Sequence, residues 1–510
     1  MELLSIIWVV VTVTVAVIPI WALQVLWLKP KKMENLLRAQ GLQGQPYKLN
    51  LFSDNSKQNH MLKLQHEANS KPITLSDDVA PHVFLPSFQT VHKYGKNSFL
   101  WEGTTPQVII TNPEQIKEVF NKMQDFPKPK SNSIVKFFSV GLVEYEGEKW
   151  AKHRKIITPA FHTDKLKIML PAFLKSSHDM ISKWKEMLSL DGSCEIDVWP
   201  FLQNLTCDAI SRTAFGSNYA EGTKMFGLLK KQGYLLMTAR RLQASTKRRM
   251  KEIDRDIHDS LEGIIKKREQ AMKNGVATND DLLGLLLESN HIENQGLGNS
   301  KNGGMTNQEV IEECKIFYIA GQETTSTLLV WTMVLLARYP EWQERARQEV
   351  LQVFGTQNPN FDGLSHLKIV TMILYEVLRL YPPVIYFIRT VQKDLKLGNL
   401  LLPAGTRISL PILLMHHDSE IWGDDVKEFK PERFSEGIAK ATKGQVSYFP
   451  FGWGPRICIG QNFALLEAKI VLSLLLQNFS FELSAAYAHV PTTSVTLQPK
   501  HGAQLILHKV

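Results

Sequence analysis

The chain has 510 residues, 44% apolar and 21% charged, an ordinary globular composition that can bury a sizeable core. A net charge of +9 suits an anionic membrane surface or an acidic partner, and without a visible nucleic-acid module nucleic acid is set aside. Four scattered cysteines, with no CxxC or His pairing, exclude a zinc site and a disulfide framework and point to a reducing compartment.

Leu3 to Leu23 is almost wholly apolar. As a helix it spans roughly 30 Å, the thickness of a bilayer's hydrocarbon core. No basic stretch precedes it, as a cleaved signal would require, whereas Lys29, Lys31 and Lys32 follow it and place the rest of the chain in the cytoplasm. Residues 1–28 are thus expected to form a single transmembrane anchor, with Trp21 and Trp27 at the interface. Pro30, Gly41, Gly44 and Pro46 predict a basic hinge over 29–48, before one catalytic domain over 49–510.

Short extended runs and turns are expected from Ile73 to Ile110, with Val108 to Ile110 the clearest strand. Asn112-Pro113-Glu114 starts a helix that the Pro127/Pro129 cluster ends. Trp150 and Arg154 stand four apart on the next helix, where they could simply make a surface cation–π pair. His153 and His162 read as surface or capping residues. Helical periodicity dominates from Pro171 to Leu287, and Asp280-Asp281 precede one more helix start. Lys247-Arg248-Arg249 reads as a solvated face, and Asn290 to Met305 as a flexible connection.

Thr306 and Glu309 form a capping box that opens a helix running to Tyr339, about 50 Å long and able to cross the whole core. Midway stands Ala320-Gly321-Gln322-Glu323-Thr324-Thr325, where a glycine and two β-branched residues weaken the ladder. One reading is a buried polar kink with threonines bonding back to the helix. The other is a site of proton chemistry built on a carboxylate followed by hydroxyls. Glu376 and Arg379 share a face of a later helix that Tyr381-Pro382-Pro383 stops, and an exposed pair there would add only a few tenths of a kcal/mol.

The stretch Tyr448 to Gly460 carries the strongest signal. Gly452, Gly454 and Pro455 hold it out of regular structure, and helical periodicity resumes from Gln461 to Leu475. Cys458 therefore precedes a helix N-terminus, where N–H groups and the helix dipole favour the thiolate that a metal needs. Gly460 leaves the backbone bare beside the sulfur, Phe451 offers a flat apolar face and Arg456 a fork for a carboxylate. A lone cysteine in a Gly-rich turn is more often a buried structural residue.

The spacing Phe451, Gly454, Arg456, Cys458, Gly460 resembles the haem-binding signature of the cytochromes P450, the haem-thiolate monooxygenases. Further stretches resemble the plant 72 family, and Ala151 to Ile157, Trp199 to Phe215 and Lys440 to Lys469 are similar to its legume triterpenoid oxidases. The resemblance implies a mainly α fold with a small β-rich lobe, and haem b ligated by Cys458. It puts Trp150, Arg154, Arg389 and Arg456 at the haem propionates. Ala320, Gly321, Glu323 and Thr324 match an oxygen-activation motif, with Gly321 making room for dioxygen and Glu323 and Thr324 organising proton delivery. Glu376, Arg379 and Arg433 take a buried structural role. Ile316, Val384, Phe387 and Val490 fall in substrate-recognition segments.

Thiolate donation favours O–O cleavage, and no flavin or nicotinamide fingerprint is present to supply electrons. The implied partners are NADPH-cytochrome P450 reductase, docking on Lys149, Lys152 and Lys155, the endoplasmic reticulum membrane, and a hydrophobic triterpene of saponin biosynthesis. Alternative readings are a monooxygenase of another plant terpenoid or hormone, such as an iridoid or gibberellin, a haem-thiolate isomerase or dehydratase, and a turnover-deficient haem-binding protein. The last is prompted by a connection over Thr238 to Thr246 that is shorter than in the relatives.

Overall fold

The computed structural model describes residues 17–49, 72–131, 137, 141–216, 219–238, 244–275, 281–296 and 304–510. Most of the expected anchor, residues 1–16, and the core of the short connection, residues 239–243, lie outside them. Among the described residues no helix is long and apolar enough to cross a membrane. They form two compact units, one built from 78–129, 386–415 and the amino-terminal residues, the other from 72–77, 130–385 and 416–510.

In the first unit the chain is helical from Val17, passes through a π-helical turn at Gln24–Leu28 and continues into α1, Lys29–Ala39. Pro30 does not break it. Proline in a first turn forfeits no N–H that the helix would use, and its ring is buried here. The segment expected as a hinge is instead tied down. Arg38 donates to the Gly44 carbonyl at 2.9 Å, and residues 43–45 pair with Phe99 at the edge of a four-stranded sheet. Its strands run in the order Phe99–Glu102, Thr105–Ile109, Arg407–Leu410, Phe387–Thr390. A second departure is the helix Leu85–Tyr94, where only turns and extended runs were expected. Its buried residues are Leu85, Ser87 and Thr90, so no apolar period advertises it.

The second unit is built on helices α2 (Gly147–Ile157), α3 (Thr163–Glu186), α4 (Val198–Phe215), α5 (Tyr219–Thr238), α6 (Asn307–Arg338), α7 (Lys368–Leu380) and α8 (Gln461–Asn478). Helix α6 opens with the capping box: the Thr306 hydroxyl accepts from the Glu309 N–H, and the Glu309 carboxylate from the Thr306 N–H. It is core for most of its length, and α4 lies along it. A Cβ on Gly321 would come within 2.8 Å of Ile210 Cδ1, so Ile210 of α4 fills the space that Gly321 leaves. That is a packing reason for this glycine, beside the clearance for dioxygen read from the sequence.

Three strands, Ser193–Asp197, Gln504–Lys509 and Phe479–Leu483, make an antiparallel sheet, and Pro491–Thr493 pairs with Leu497–Pro499 in a C-terminal hairpin. Two expectations from polarity alone are corrected here. His153 is fully buried, its Nδ1 2.6 Å from Glu313 Oε1, and it joins α2 to α6. Asn290 is buried within a helix that runs to Gly296, and its side-chain amide bonds the backbone of Met305 in both directions.

Candidate active site

The Cys458 loop is shaped by its glycines. Gly452 and Gly454 take φ of +72° and +71°, which L side chains rarely adopt. The Cys458 N–H donates to the Phe451 carbonyl at 2.9 Å, closing the loop just before α8, whose N-cap is Gly460. Although Cys458 is an exposed residue, the protein around it pushes its thiol pKa up. A Gly460 N–H and the Arg154 guanidinium pull the other way. The helix start and Arg154 favour a thiolate, but the loop alone does not offset its desolvation by the surrounding protein. A coordinating cation does so outright.

Helix α2 brings Trp150 and Arg154 to this loop. Arg154 donates to the Ile457 carbonyl at 2.9 Å. The cation over Trp150 is Arg456, its guanidinium carbon 4.5 Å from the ring centroid, and not the helix neighbour Arg154. Arg456 also donates to the Tyr145 carbonyl and pairs with Glu146 at 2.6 Å, but its Nη1 is buried with no hydrogen-bond partner among the described residues. At Gly460 a Cβ would stand 4.0 Å from the Cys458 sulfur. Phe451 is half-buried. A soft donor, an unanswered guanidinium N–H and a flank with no side chain fit a flat dianionic group such as haem.

On α6, Ala320 is the one exposed residue between Glu309 and Ala337, and Thr324 one turn on is half-buried. The Thr324 hydroxyl donates to the Ala320 carbonyl at 2.6 Å, the back-bonded geometry of a polar kink. Burial raises the Glu323 pKa, while a hydrogen bond from Thr496 and the charge of Lys230 lower it in part. Thr496 stands 3.0 Å from Glu323 Oε1. Glu323 also borders a cavity of about 190 Å³, with Gln203, Phe226, Lys230, Tyr234, Ser494 and Gln498 among its lining residues. Sequence reading missed this cavity and the threonines behind it, although Glu323, Thr327 and Trp331 at i, i+4 and i+8 mark one face of α6.

Behind the loop lies a charge network. Glu376 and Arg379 are fully buried and joined by two bonds of 2.7 and 2.8 Å, and Arg433 Nε reaches Glu376 at 3.4 Å. Arg379 also donates to the His416 carbonyl, and His416 Nε2 accepts the Phe449 N–H at 3.0 Å. Burial holds His416 neutral, well below its ordinary pKa. The network thus reaches the start of the Cys458 loop through one imidazole.

Of the remaining candidates, Ile316 and Val490 are buried and Val384 half-buried in the second unit. None of them lines the cavity. Phe387 and Arg389 belong to the first unit, where the buried Arg389 guanidinium lies 5.8 Å from the ring centroids of Phe120 and Phe387.

The family model described as Cytochrome P450 matches residues 79–507. The chain is 73% identical over 516 positions to an 11-oxo-beta-amyrin 30-oxidase of Glycyrrhiza uralensis, covering 99% of this chain and 98% of that relative. It is 72% identical over 509 positions to an 11-oxo-beta-amyrin 30-oxidase of Medicago truncatula, covering 98% and 97%. In fold it is similar to retinoic acid bound cyanobacterial CYP120A1, with a TM-score of 0.71 at 24% identity over 82% of this chain and 93% of that one. With a family model over most of its length and relatives this near, the chain belongs to the cytochrome P450 family and is one of its monooxygenases.

Proposed function

We propose that this monooxygenase oxidises a rigid β-amyrin-type triterpene in saponin biosynthesis, drawing electrons from NADPH-cytochrome P450 reductase. The observation that carries the substrate class is 72–73% identity, over nearly the whole chain, to two relatives named for oxidation of 11-oxo-beta-amyrin. Identity of that extent weighs against the iridoid and gibberellin alternatives.

When bound by the Cys458 thiolate, haem supplies the oxidant for an unactivated C–H bond. The protein's part is to place and protonate. Arg456, with a buried N–H to give, and Trp150 and Arg154 beside it form the carboxylate-binding side of the site. The family pattern alone adds Arg389 to that set. The exposed Ala320 and half-buried Thr324 of α6, and Gly460 and Phe451 of the Cys458 loop, would line the haem when it is bound. Glu323 holds the transferable proton on its carboxyl, as its burial favours, and the Thr324 hydroxyl passes protons after leaving the Ala320 carbonyl. Glu376, Arg379 and Arg433 keep the loop in place. Ile316, Val384, Phe387 and Val490 are assigned to substrate contact by position in the family pattern.

Residues 1–28 are assigned to a single-pass anchor in the endoplasmic reticulum, with the catalytic body in the cytoplasm. Val17, Ile18, Ile20, Trp21 and Leu23 are apolar and exposed, as a lipid-facing helix would be. Lys149, Lys152 and Lys155 of α2 are assigned to reductase docking, although each already meets an acidic or carbonyl oxygen at 2.9 Å.

The test is a carbon monoxide difference spectrum of reduced microsomes holding the full chain or Cys458→Ala, followed by turnover with reductase and 11-oxo-beta-amyrin. A red-shifted Soret band absent from the variant, with an oxidised triterpenoid product, is the expected result. A band without any triterpenoid product overturns the substrate class. Absence of the band overturns the site.

A further inference from the structure

The side-chain oxygens around Glu323 raise a question of proton number. Thr327 Oγ1 lies 2.8 Å from the Glu323 backbone carbonyl and 2.9 Å from Thr496 Oγ1, and Thr496 Oγ1 lies 3.0 Å from Glu323 Oε1. That makes three hydrogen-bonding contacts in a row. Each hydroxyl owns one proton, and a carbonyl owns none. Two protons cannot fill three contacts, so the row is complete only when the third comes from the carboxyl. Glu323 then donates to Thr496, Thr496 to Thr327, and Thr327 to the backbone carbonyl. With Glu323 ionised, Thr496 must turn its proton towards the carboxylate, and one contact loses its hydrogen bond.

The row is held at both ends. Thr327 belongs to α6, and Thr496 to the tip of the C-terminal hairpin, which is fixed against slip at the very next residue: Trp331 Nε1 donates to the Leu497 carbonyl at 2.7 Å, and the Leu497 N–H donates to the Pro383 carbonyl. Glu323, Thr327 and Trp331 thus meet the hairpin along one face of α6. Beyond the carboxyl lies the cavity, in which the titratable side chains are Lys230 and Tyr234, both from α5, while α4 and the hairpin offer only Gln203, Ser494 and Gln498.

We propose that Thr327 and Thr496 are positioning residues that form with Glu323 a hydroxyl relay, complete only while Glu323 carries its proton, through which the C-terminal hairpin governs proton delivery. The inference rests on the reading of Glu323 as proton carrier given above. It makes a signed prediction for two isosteric variants. Thr327→Val removes a bond that only the protonated state can fill, so Glu323 gives up its proton at lower pH. Thr496→Val takes two neutral bonds from the protonated row but the charge-assisted Thr496 bond from the carboxylate, and for a poorly solvated charge that loss is the heavier, so Glu323 titrates at higher pH.

The experiment is infrared spectroscopy of the purified full-length holoenzyme across a pH series, following the protonated-carboxyl band that Glu323→Gln removes. Product formation with reductase is measured on the same samples. The midpoint of the band is expected to fall in Thr327→Val, to rise in Thr496→Val, and to return to the parent value in Thr327→Ser and Thr496→Ser. Midpoints that stay in place, or move in the same direction, overturn the relay, as does a Glu323→Gln spectrum with no band removed. A purely structural role would change stability without splitting the two shifts. If the midpoints split as stated while Glu323→Gln keeps the parent rate and pH profile, the relay stands and the proton-carrier reading of Glu323 falls.

Discussion

Two glutamates in the second unit, one fully and one partly buried, show how environment divides structural from chemical carboxylates. Glu376 accepts four hydrogen bonds, two from Arg379, one from Arg433 and one from the Lys430 N–H. Glu323 has one hydroxyl neighbour, an exposed lysine across a cavity, and a raised pKa that burial causes. The first is answered on every side and fixed in place. The second is answered just enough to be held in place while its proton stays transferable. A carboxylate that must release and recover a proton cannot be surrounded by guanidinium groups.

The largest effect should come from breaking the first environment. Arg379→Ala strands a fully buried Glu376 charge and frees the carbonyls of His416 and Val426, a loss of about 3–5 kcal/mol. The expected outcome is little folded haem protein, read as loss of the carbon monoxide difference band at equal protein level. Breaking the second environment should do the reverse. Glu323→Gln keeps an amide that can still hydrogen-bond Thr496, so unfolding by urea should be nearly unchanged while product formation falls by roughly 10²–10⁴-fold, the usual contribution of one acid–base group. If Glu323→Gln unfolds as readily as Arg379→Ala, the contrast between the two carboxylates collapses.

How far this contrast was legible in the sequence depends on separation along the chain. The capping box at Thr306, the helix after Gly460 and the loop around Cys458 are local patterns, and each signals itself within about a dozen residues. Glu376 and Arg379 are close neighbours too, but their burial is invisible locally and came only through resemblance. Thr496 lies 173 positions beyond Glu323, in a Thr/Ser-rich stretch with no period to mark it. His153 was misplaced on the surface because polarity alone stood for exposure. Its partner Glu313, 160 positions away, is what makes burial affordable. The helix Leu85–Tyr94 escaped for the related reason that its buried face is partly polar.

A third glutamate extends the comparison to the limit of no answer at all. Glu467 of α8 is buried, and neither carboxyl oxygen has a hydrogen-bond partner among the described residues. Burial raises its pKa well above the ordinary value. The folded state therefore keeps a proton that the unfolded state gives up. Its contribution to stability is complete below the unfolded carboxyl pKa and is lost as pH rises through the folded one, at up to about 1.4 kcal/mol per pH unit. Urea unfolding of the full chain over a pH series should show this decline, and Glu467→Gln should flatten it. Parallel curves for the two proteins would mean that Glu467 has a partner in solution.

The smallest effect concerns the cavity side of Glu323. Lys230 is exposed, and its charge lowers the Glu323 pKa against the larger influence of burial. Lys230→Gln should therefore move the alkaline limb of product formation to higher pH, the same direction as Thr496→Val. The two causes differ in how salt acts on them. A field from an exposed lysine is screened within about a Debye length, roughly 10 Å at 0.1 M salt, whereas a direct hydrogen bond is not. Raising the salt concentration should thus shift the limb upward in the parent enzyme, leave Lys230→Gln where it is, and shift Thr496→Val by as much as the parent. A limb that moves with salt in Lys230→Gln as well would place the responsible charge elsewhere and leave the cavity without an electrostatic part in proton supply.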